Sequence, residues 1–145
     1  TILHKEAVAS QKLFSLFYAV YDPSVKVLSY TGSGHVQPML VRAQDGAVER
    51  LHSDGVPIGI QPVQRLGERS ALMYEGDLLV FFTDGVTERA NEASEVFGEN
   101  RLAEVLQRSR DNSVEECMQK VLDELNNFSS LSPADDMTLV LAKVL

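Results

Sequence analysis

The sequence has few cysteines, few basic residues and no long apolar run, and each shortage excludes a class of protein. Cys117 is the only cysteine, so no disulfide can form within the chain, which fits a reducing cytoplasm. A net charge of −8 argues against a nucleic-acid-binding surface. No apolar run approaches the roughly 20 residues of a membrane span. We therefore expect a cytoplasmic chain with neither nucleic-acid nor membrane partners.

Several catalytic signatures are also missing. The chain contains no Gly-x-Ser-x-Gly elbow, no Walker phosphate-binding loop and no dinucleotide fingerprint. Its three histidines, His4, His35 and His52, are widely spaced and lack the i, i+4 spacing of a helical zinc pair. The sequence therefore gives no support to nucleophilic-serine, nucleotide or zinc chemistry.

What is present indicates a packed α+β domain. The length of 145 residues favours one domain or part of one, and a hydrophobic share of 44% is enough for a real core. Two features mark helices: apolar residues at helical spacing over 99–110, and a capping box from Ser113 to Glu116 that starts a second helix ending near 126–127. We predict an antiparallel sheet with this helix pair on one face. The predicted strands cover 13–21, 25–30, 39–42, 47–51, 65–73, 78–82 and 137–144.

The apolar run Leu78–Phe82 predicts a strand buried on both faces, and it stops at Thr83, Asp84 and Gly85. A carboxylate at the end of a buried strand is held firmly at a sheet edge, where a ligand can reach it. An Asp-Gly pair is also typical of a tight turn, but no complementary strand follows directly. A loop role and a ligand-binding role both remain open for Asp84.

A second acid pair, Asp135-Asp136, precedes the closing strand. Adjacent acids on an extended chain point to opposite sides, so at most one of them faces a shared site. A plainer interpretation is a polar strand entry. Our hypothesis is that Asp84 and Asp135 converge on one hard metal ion, because oxygen ligands select Mg²⁺, Mn²⁺ or Ca²⁺ over zinc. His35 is interpreted either as a hydrogen-bonded turn residue or as a catalytic group.

Several segments of the chain occur in a characteristic order, namely 16–20, Gly32-Ser33-Gly34-His35, 55–59, 78–88, Phe97-Gly98, Arg101-Leu102 and 135–140. Their residues and order resemble the SpoIIE/RsbU-like branch of the PPM (type 2C) metal-dependent serine/threonine phosphatases. The resemblance implies an αββα sandwich that holds two Mg²⁺ or Mn²⁺ ions through aspartates. It assigns Asp84 and Asp135 as metal ligands, with Asp136 a weaker candidate, and places Thr83, Gly85 and His35 among the possible surrounding residues.

The resemblance covers only the carboxyl-terminal part of that domain. Two upstream family motifs, a Gly-Gly-Asp-type strand end and a Gly-Asp-Val-x-Gly-type turn, do not occur, and with them the aspartate that bridges both ions is missing. We therefore expect residues 1–145 to form the carboxyl-terminal portion of one phosphatase domain, with residues 1–8 ending a helix. Such a portion is expected to hold one ion or none and to be inactive alone. Its exposed sheet edge predicts an oligomer or completion by another chain.

The function implied for the parent domain is metal-dependent hydrolysis of phosphoserine or phosphothreonine on a signalling protein in bacterial sigma-factor regulation and stress response. The implied substrate is a phosphorylated anti-anti-sigma (STAS-type) protein. An alternative is a phosphatase-like binding or adaptor module without catalysis. A third possibility is a structural α+β domain whose acids only form turns.

Overall fold

A computed structural model describes residues 13–60 and 66–145. All pairings between its named strands are antiparallel, and they form two sheets, which confirms the predicted α+β class. The predicted helix end at 1–8 lies outside the described residues. In chain order the elements are β1 (Leu16–Asp22), β2 (Val27–Ser33), β3 (Met39–Val41), β4 (Val48–Arg50), β5 (Arg69–Leu72), β6 (Leu78–Phe82), α1 (Asp84–Thr87), α2 (Gly98–Ser109), α3 (Val114–Phe128) and β7 (Leu139–Lys143).

The chain divides into two compact units, Thr1–Gln37 with His52–Met73 and Pro38–Leu51 with Tyr74–Leu145. The first contains a three-stranded sheet in the order β1-β2-β5. The β1–β2 hairpin turns where Asp22 accepts hydrogen bonds from the Ser24 amide at 2.9 Å and the Ser24 hydroxyl at 2.6 Å. The aromatic and β-branched residues of 13–21 predict a central strand. This prediction was wrong, because β1 pairs only with β2 in the described sheet and its alternate residues are exposed.

The two glycines between Gly32 and His35 predict a flexible break in the chain, but the segment begins inside a strand. Gly32 and Ser33 belong to β2, Gly34 follows the strand at a φ of +68°, and His35 lies beyond it. The glycine at position 32 has a packing reason, because a Cβ there would collide with the side chain of Ser53. Gly32 therefore allows close packing against Ser53, and Gly34 allows a left-handed backbone conformation.

The second unit contains a four-stranded sheet in the order β4-β3-β6-β7. The β6 strand is central and almost completely buried, as its apolar run predicted, because β3 and β7 flank it. Helix α2 contacts β3, helix α3 contacts β7, and the two helices contact each other. This packing confirms the predicted helix pair on one face of an antiparallel sheet.

The helix boundaries follow the sequence signals closely. Helix α3 starts with the predicted capping box, in which the Glu116 amide donates to Ser113 Oγ at 3.2 Å and the Ser113 amide donates to the Glu116 carboxylate at 3.1 Å. The two helices are joined where the buried thiol of Cys117 donates to the Ser109 carbonyl at 2.9 Å. Within the described ranges, every helix is too short or too polar to traverse a lipid bilayer.

Candidate metal centre

The backbone beyond β6 continues to pair with the backbone before β7. The last register pair of the ladder is Phe82 with Leu139. Beyond it, the Thr83 amide donates to the Thr138 carbonyl at 3.1 Å, and the Thr138 amide donates to Thr83 Oγ1 at 2.9 Å. The Thr83 hydroxyl in turn donates to the Asp136 carbonyl at 3.2 Å. Thr83 therefore ties the segment that carries Asp84 to the segment that carries Asp135 and Asp136.

A glycine brings the same two segments into direct contact. Gly85 is buried in the single-turn helix α1, and a Cβ built on it would lie 2.5 Å from the Asp136 carbonyl oxygen and 3.5 Å from the Asp135 carbonyl carbon. A real Cβ does not approach a carbonyl oxygen so closely. The two acid-bearing loops thus pack backbone against backbone, at a spacing that only glycine allows.

The carboxylates themselves lie at the surface. The side chains of Asp84, Asp135 and Asp136 belong to exposed residues. Asp84 Oδ1 accepts from the amide of Gly85 at 3.0 Å, and Asp135 Oδ1 accepts from the amide of Asp136 at 2.8 Å. Each of these two carboxylates has further lone pairs, so each can still act as a ligand.

The fit to a divalent cation is therefore partial. Oxygen donors from two adjacent loops suit Mg²⁺ or Mn²⁺, and the close approach at Gly85 keeps the loops together. Over the described part of the chain, however, no group of three or more His, Cys, Asp or Glu side chains is arranged to hold a metal ion. That this chain supplies only part of a metal site stays a prediction.

His35 lies in the first unit, and its contacts there are local. Its Nδ1 donates to the carbonyl of the next residue, Val36, at 2.7 Å. Its ring stands edge-on to that of Phe17, with 6.5 Å between the ring centroids. These are the contacts of a hydrogen-bonded turn residue, and a catalytic role for His35 remains a prediction.

Sequence reasoning did not identify Arg89 and Glu92, which follow the Asp84 turn. Arg89 is buried and donates to three backbone carbonyls between positions 125 and 131. Glu92 accepts hydrogen bonds from the amide and hydroxyl of Ser130. The hydrogen bond from the Ser130 hydroxyl is the main reason that the pKa of Glu92 is lowered.

Comparison with known proteins finds one protein family and two related sequences that match this chain. The sequence profile of the family described as Stage II sporulation protein E (SpoIIE) matches residues 2–145. Protein IcfG of Synechocystis is 36% identical over 92 residues, which cover 63% of this chain and 14% of that protein. The phosphoserine phosphatase RsbU of Bacillus subtilis is 23% identical over 139 residues, covering 96% of this chain and 41% of RsbU.

Solved structures show the same fold. The RsbU and RsbW domains of Rv1364c from Mycobacterium tuberculosis align with a TM-score of 0.73 and 23% identity, over 88% of this chain and 35% of that one. The SiaA-PP2C domain of Pseudomonas aeruginosa gives 0.73 and 21%, over 89% and 50%. The manganese-presoaked phosphatase domain of SpoIIE from Bacillus subtilis gives 0.69 and 17%, over 97% and 59%. In each comparison the chain spans less than two thirds of its relative.

Proposed function

This chain belongs to the SpoIIE family, and from that membership we propose that it is the carboxyl-terminal portion of a PPM-type phosphatase domain. The complete domain would hydrolyse phosphoserine or phosphothreonine on a signalling protein. The proposal is supported by the coverage of the relatives, 41% of RsbU and 59% of the SpoIIE phosphatase domain. The observation that carries it is the packing of Gly85 against the backbone of Asp135 and Asp136.

In this proposal Asp84 and Asp135 hold Mg²⁺ or Mn²⁺, with Asp136 the weaker candidate. A bound divalent ion supplies a water of lowered pKa and neutralises phosphoryl charge in an in-line displacement. Thr83 and Gly85 fix the relative position of the two acid loops through the hydrogen bonds and the close contact described above. The exposed position of both carboxylates leaves them open to a phosphorylated protein surface.

The chain alone is proposed to bind one ion at most, and weakly. Two carboxylates give a hard cation far fewer than the six ligands it prefers, so water must fill the other positions. A low affinity also means little activated water at a given metal concentration, so we expect little or no hydrolysis without the remaining ligands. In solution this chain would either associate with itself or bind a second polypeptide that completes the domain.

The proposed substrate is a phosphorylated anti-anti-sigma protein of the STAS type, encountered in the cytoplasm. Support comes from the relatives, one of which is a phosphoserine phosphatase and another of which joins RsbU and RsbW domains in one protein. The acidic charge of the chain gives no reason to expect a nucleic-acid partner.

Calorimetric titration with Mn²⁺ tests the metal site directly. Asp84→Asn and Asp135→Asn should each abolish measurable binding, because each removes one of two charged ligands, whereas Asp136→Asn should weaken it less. Asp111→Asn is the matched control, since Asp111 is an exposed acid outside both loops. Equal Mn²⁺ binding by the wild type and the Asp84→Asn and Asp135→Asn variants would contradict the assignment.

Activity is tested with the full-length gene product on p-nitrophenyl phosphate. We expect hydrolysis that requires Mn²⁺ or Mg²⁺ and is lost in Asp84→Asn. Hydrolysis that persists in excess chelator would exclude the proposed mechanism.

The alternative is a phosphatase-like adaptor that binds a partner without hydrolysing it. The full-length product would then bind a phosphorylated STAS-type protein and release no phosphate from it in the presence of Mn²⁺. Stoichiometric phosphate release would reject the adaptor.

Self-association is tested by light scattering. The first unit exposes a row of large apolar side chains along β1, namely Leu16, Tyr18 and Val20. A contiguous apolar surface of this kind favours association. A monomer at concentrations of tens of micromolar would contradict the proposed oligomer and leave only completion by a different chain.

A further inference from the structure

The loop that carries Asp135 is held at its start by a buried arginine. Arg89 is only 9% exposed and lies in the segment that follows Asp84. Its Nε donates to the carbonyl of Leu125 at 3.2 Å, and its Nη2 donates to the carbonyls of Ser129 at 2.9 Å and Leu131 at 3.1 Å. One guanidinium therefore fixes the last turn of α3 and the first residues of the loop together.

A carboxylate reinforces the same attachment. Glu92 accepts from the Ser130 amide at 3.0 Å and also from the Ser130 hydroxyl. The loop start adds one bond of its own, from the Leu131 amide to the hydroxyl of the buried Ser129 at 3.2 Å. Residues 129–131 thus form hydrogen bonds with two side chains of a single neighbouring segment: the carbonyls of Ser129 and Leu131 accept from Arg89, and Ser130 donates to Glu92.

We propose that Arg89 is a positioning residue that, with Glu92, sets the location of Asp135 relative to Asp84. The loop between α3 and β7 is attached at its start to Arg89 and Glu92 and at its end to Thr83. Both attachments come from residues 83–92, the segment that also contains Asp84. Asp135 lies between the two attachments. Residues 83–92 therefore fix the position of Asp135 relative to Asp84.

The chemistry at this position is specific to arginine. Three carbonyl acceptors in different directions require a planar fork with several N–H donors. A lysine ammonium can reach one or two of them but cannot reproduce the fork. The burial adds to the requirement, because carbonyls left without donors in a buried place are costly. The consequence of the proposal for metal binding rests on the proposed function, whereas the consequence for loop order does not.

A plainer role is a cap for the carboxyl end of α3 with no effect on Asp135. The two roles differ in where order is lost. A cap alone affects residues 125–129, whereas a positioning role extends the loss of order to residues 130–138.

Hydrogen exchange of the full chain separates these roles. Arg89→Met removes the donors while keeping an apolar stem. Arg108→Met is the control, since Arg108 is an exposed arginine that pairs with Glu124 at 2.6 Å. We expect amides in 130–138 to exchange about tenfold faster or more in Arg89→Met, with the amides of 117–121 unchanged. Exchange in 130–138 equal to the wild type, or an equal increase throughout the unit, would overturn the proposal.

A milder pair of variants covers the case in which Arg89→Met does not fold. Glu92→Ala removes the acceptor of Ser130, and Glu95→Ala is its control in the same segment, because Glu95 bonds only to Asn91 at 3.0 Å. Glu92→Ala should accelerate exchange in 130–138, and Glu95→Ala should not. Identical exchange in the two variants would count against the proposal.

Mn²⁺ titration then connects loop order to the ligands. Substitution of residues that orient metal ligands typically lowers metal affinity about tenfold to hundredfold, and we expect Arg89→Met to fall in this range while Arg89→Lys restores little. If the wild type binds and Arg89→Met binds equally well, the positioning role is wrong. If the wild-type full-length gene product and its Asp84→Asn variant both fail to bind Mn²⁺, the proposed function fails, and hydrogen exchange alone decides whether Arg89 orders the loop.

Discussion

The two units of the chain differ in how their sheets are covered. In the second unit, β6 is flanked by strands on both sides, two helices pack on the sheet, and Leu78 and Val80 are fully buried. In the first unit, Tyr18 on β1 is 59% exposed and Val20 is 49% exposed. Both candidate metal ligands, Asp84 and Asp135, belong to the well-covered unit. A carboxylate whose backbone is fixed by packing keeps its geometry, whereas an open sheet offers no such support.

The ion pairs show the same difference. In the second unit, Asp77 is buried and accepts from Arg42 at 2.8 Å and from the amides of Ala43 and Tyr74 at 2.9 and 3.0 Å. In the first unit, Asp54 pairs with Arg69 at 2.6 Å, but both side chains are about half exposed or more. Solvent screens the exposed pair of Asp54 and Arg69 but not the buried pair of Asp77 and Arg42. The two pairs should therefore differ greatly in their effect on stability.

The largest predicted effect is that of Asp77→Ala. Removing the buried carboxylate removes the hydrogen bonds that it accepts from two amides and from the Arg42 guanidinium, so we expect a loss of about 3–5 kcal/mol in the free energy of unfolding. Asp54→Ala is the comparison in the first unit and should change this free energy little. Urea denaturation measures both. Similar losses in the two variants would remove the distinction drawn between the units.

A matched pair of leucines gives the next largest effect. Leu78 on β6 is 0% exposed and Leu72 on β5 is 49% exposed. Leu78→Ala should cost about 2–5 kcal/mol because it leaves a cavity in a packed core. Leu72→Ala should cost below about 1 kcal/mol. Denaturation midpoints that shift equally would show that Leu72 is buried in solution.

The third prediction concerns Gly85. A Cβ at this position must displace the Asp136 carbonyl, so Gly85→Ala should destabilise the protein by about 1–3 kcal/mol, as overpacking typically does. It should also lower Mn²⁺ affinity by separating the acid loops. Gly67→Ala is the control, because a Cβ on Gly67 meets nothing within 4 Å. Wild-type stability and affinity in Gly85→Ala would show that the loops adjust freely.

The smallest effect is a pH dependence at the capping box. The Ser113 amide, followed by the Asn112 side chain, lowers the pKa of Glu116 from its ordinary 4.5. A carboxyl whose pKa is lowered by folding stabilises the protein above the unfolded value, and this stabilisation is lost as pH falls through the folded value. The urea midpoint of the wild type should therefore fall more steeply from about pH 5 to pH 3 than that of Glu116→Gln.

The two proteins should have similar midpoints near neutral pH, because glutamine also completes a capping box. Parallel midpoints over the whole acidic range would mean that Glu116 does not contribute to the pH dependence.

Much of the fold was predictable because burial and local geometry leave periodic patterns. The apolar run of β6, the helical spacing in α2 and the Ser113 capping box each predicted an element that the structure contains. The position of β1 was not predictable in the same way. An apolar and aromatic strand has the same composition in the centre of a sheet and at an edge with one exposed face, so only the pairing distinguishes them.

The candidate metal site was likewise predictable only in part. The positions of Asp84 after a buried strand and of Asp135 before the closing strand were visible in the sequence, and the structure brings their loops together. The contacts that hold the loops were not visible. The three carbonyl partners of Arg89 lie 36, 40 and 42 positions along the chain, so no local spacing marks them. Every residue type has a backbone carbonyl, so a sequence pattern cannot show which carbonyls accept hydrogen bonds from Arg89.

The position of Cys117 makes this protein convenient for spectroscopy. Its thiol is fully buried between α2 and α3 and bonded to a carbonyl, so thiol-reactive dyes and nitroxides will not attach to it in the native state. A cysteine introduced at an exposed position such as Ser132 will then be the single reactive thiol. Movements of that loop can be recorded from one label without first removing the native sulfur.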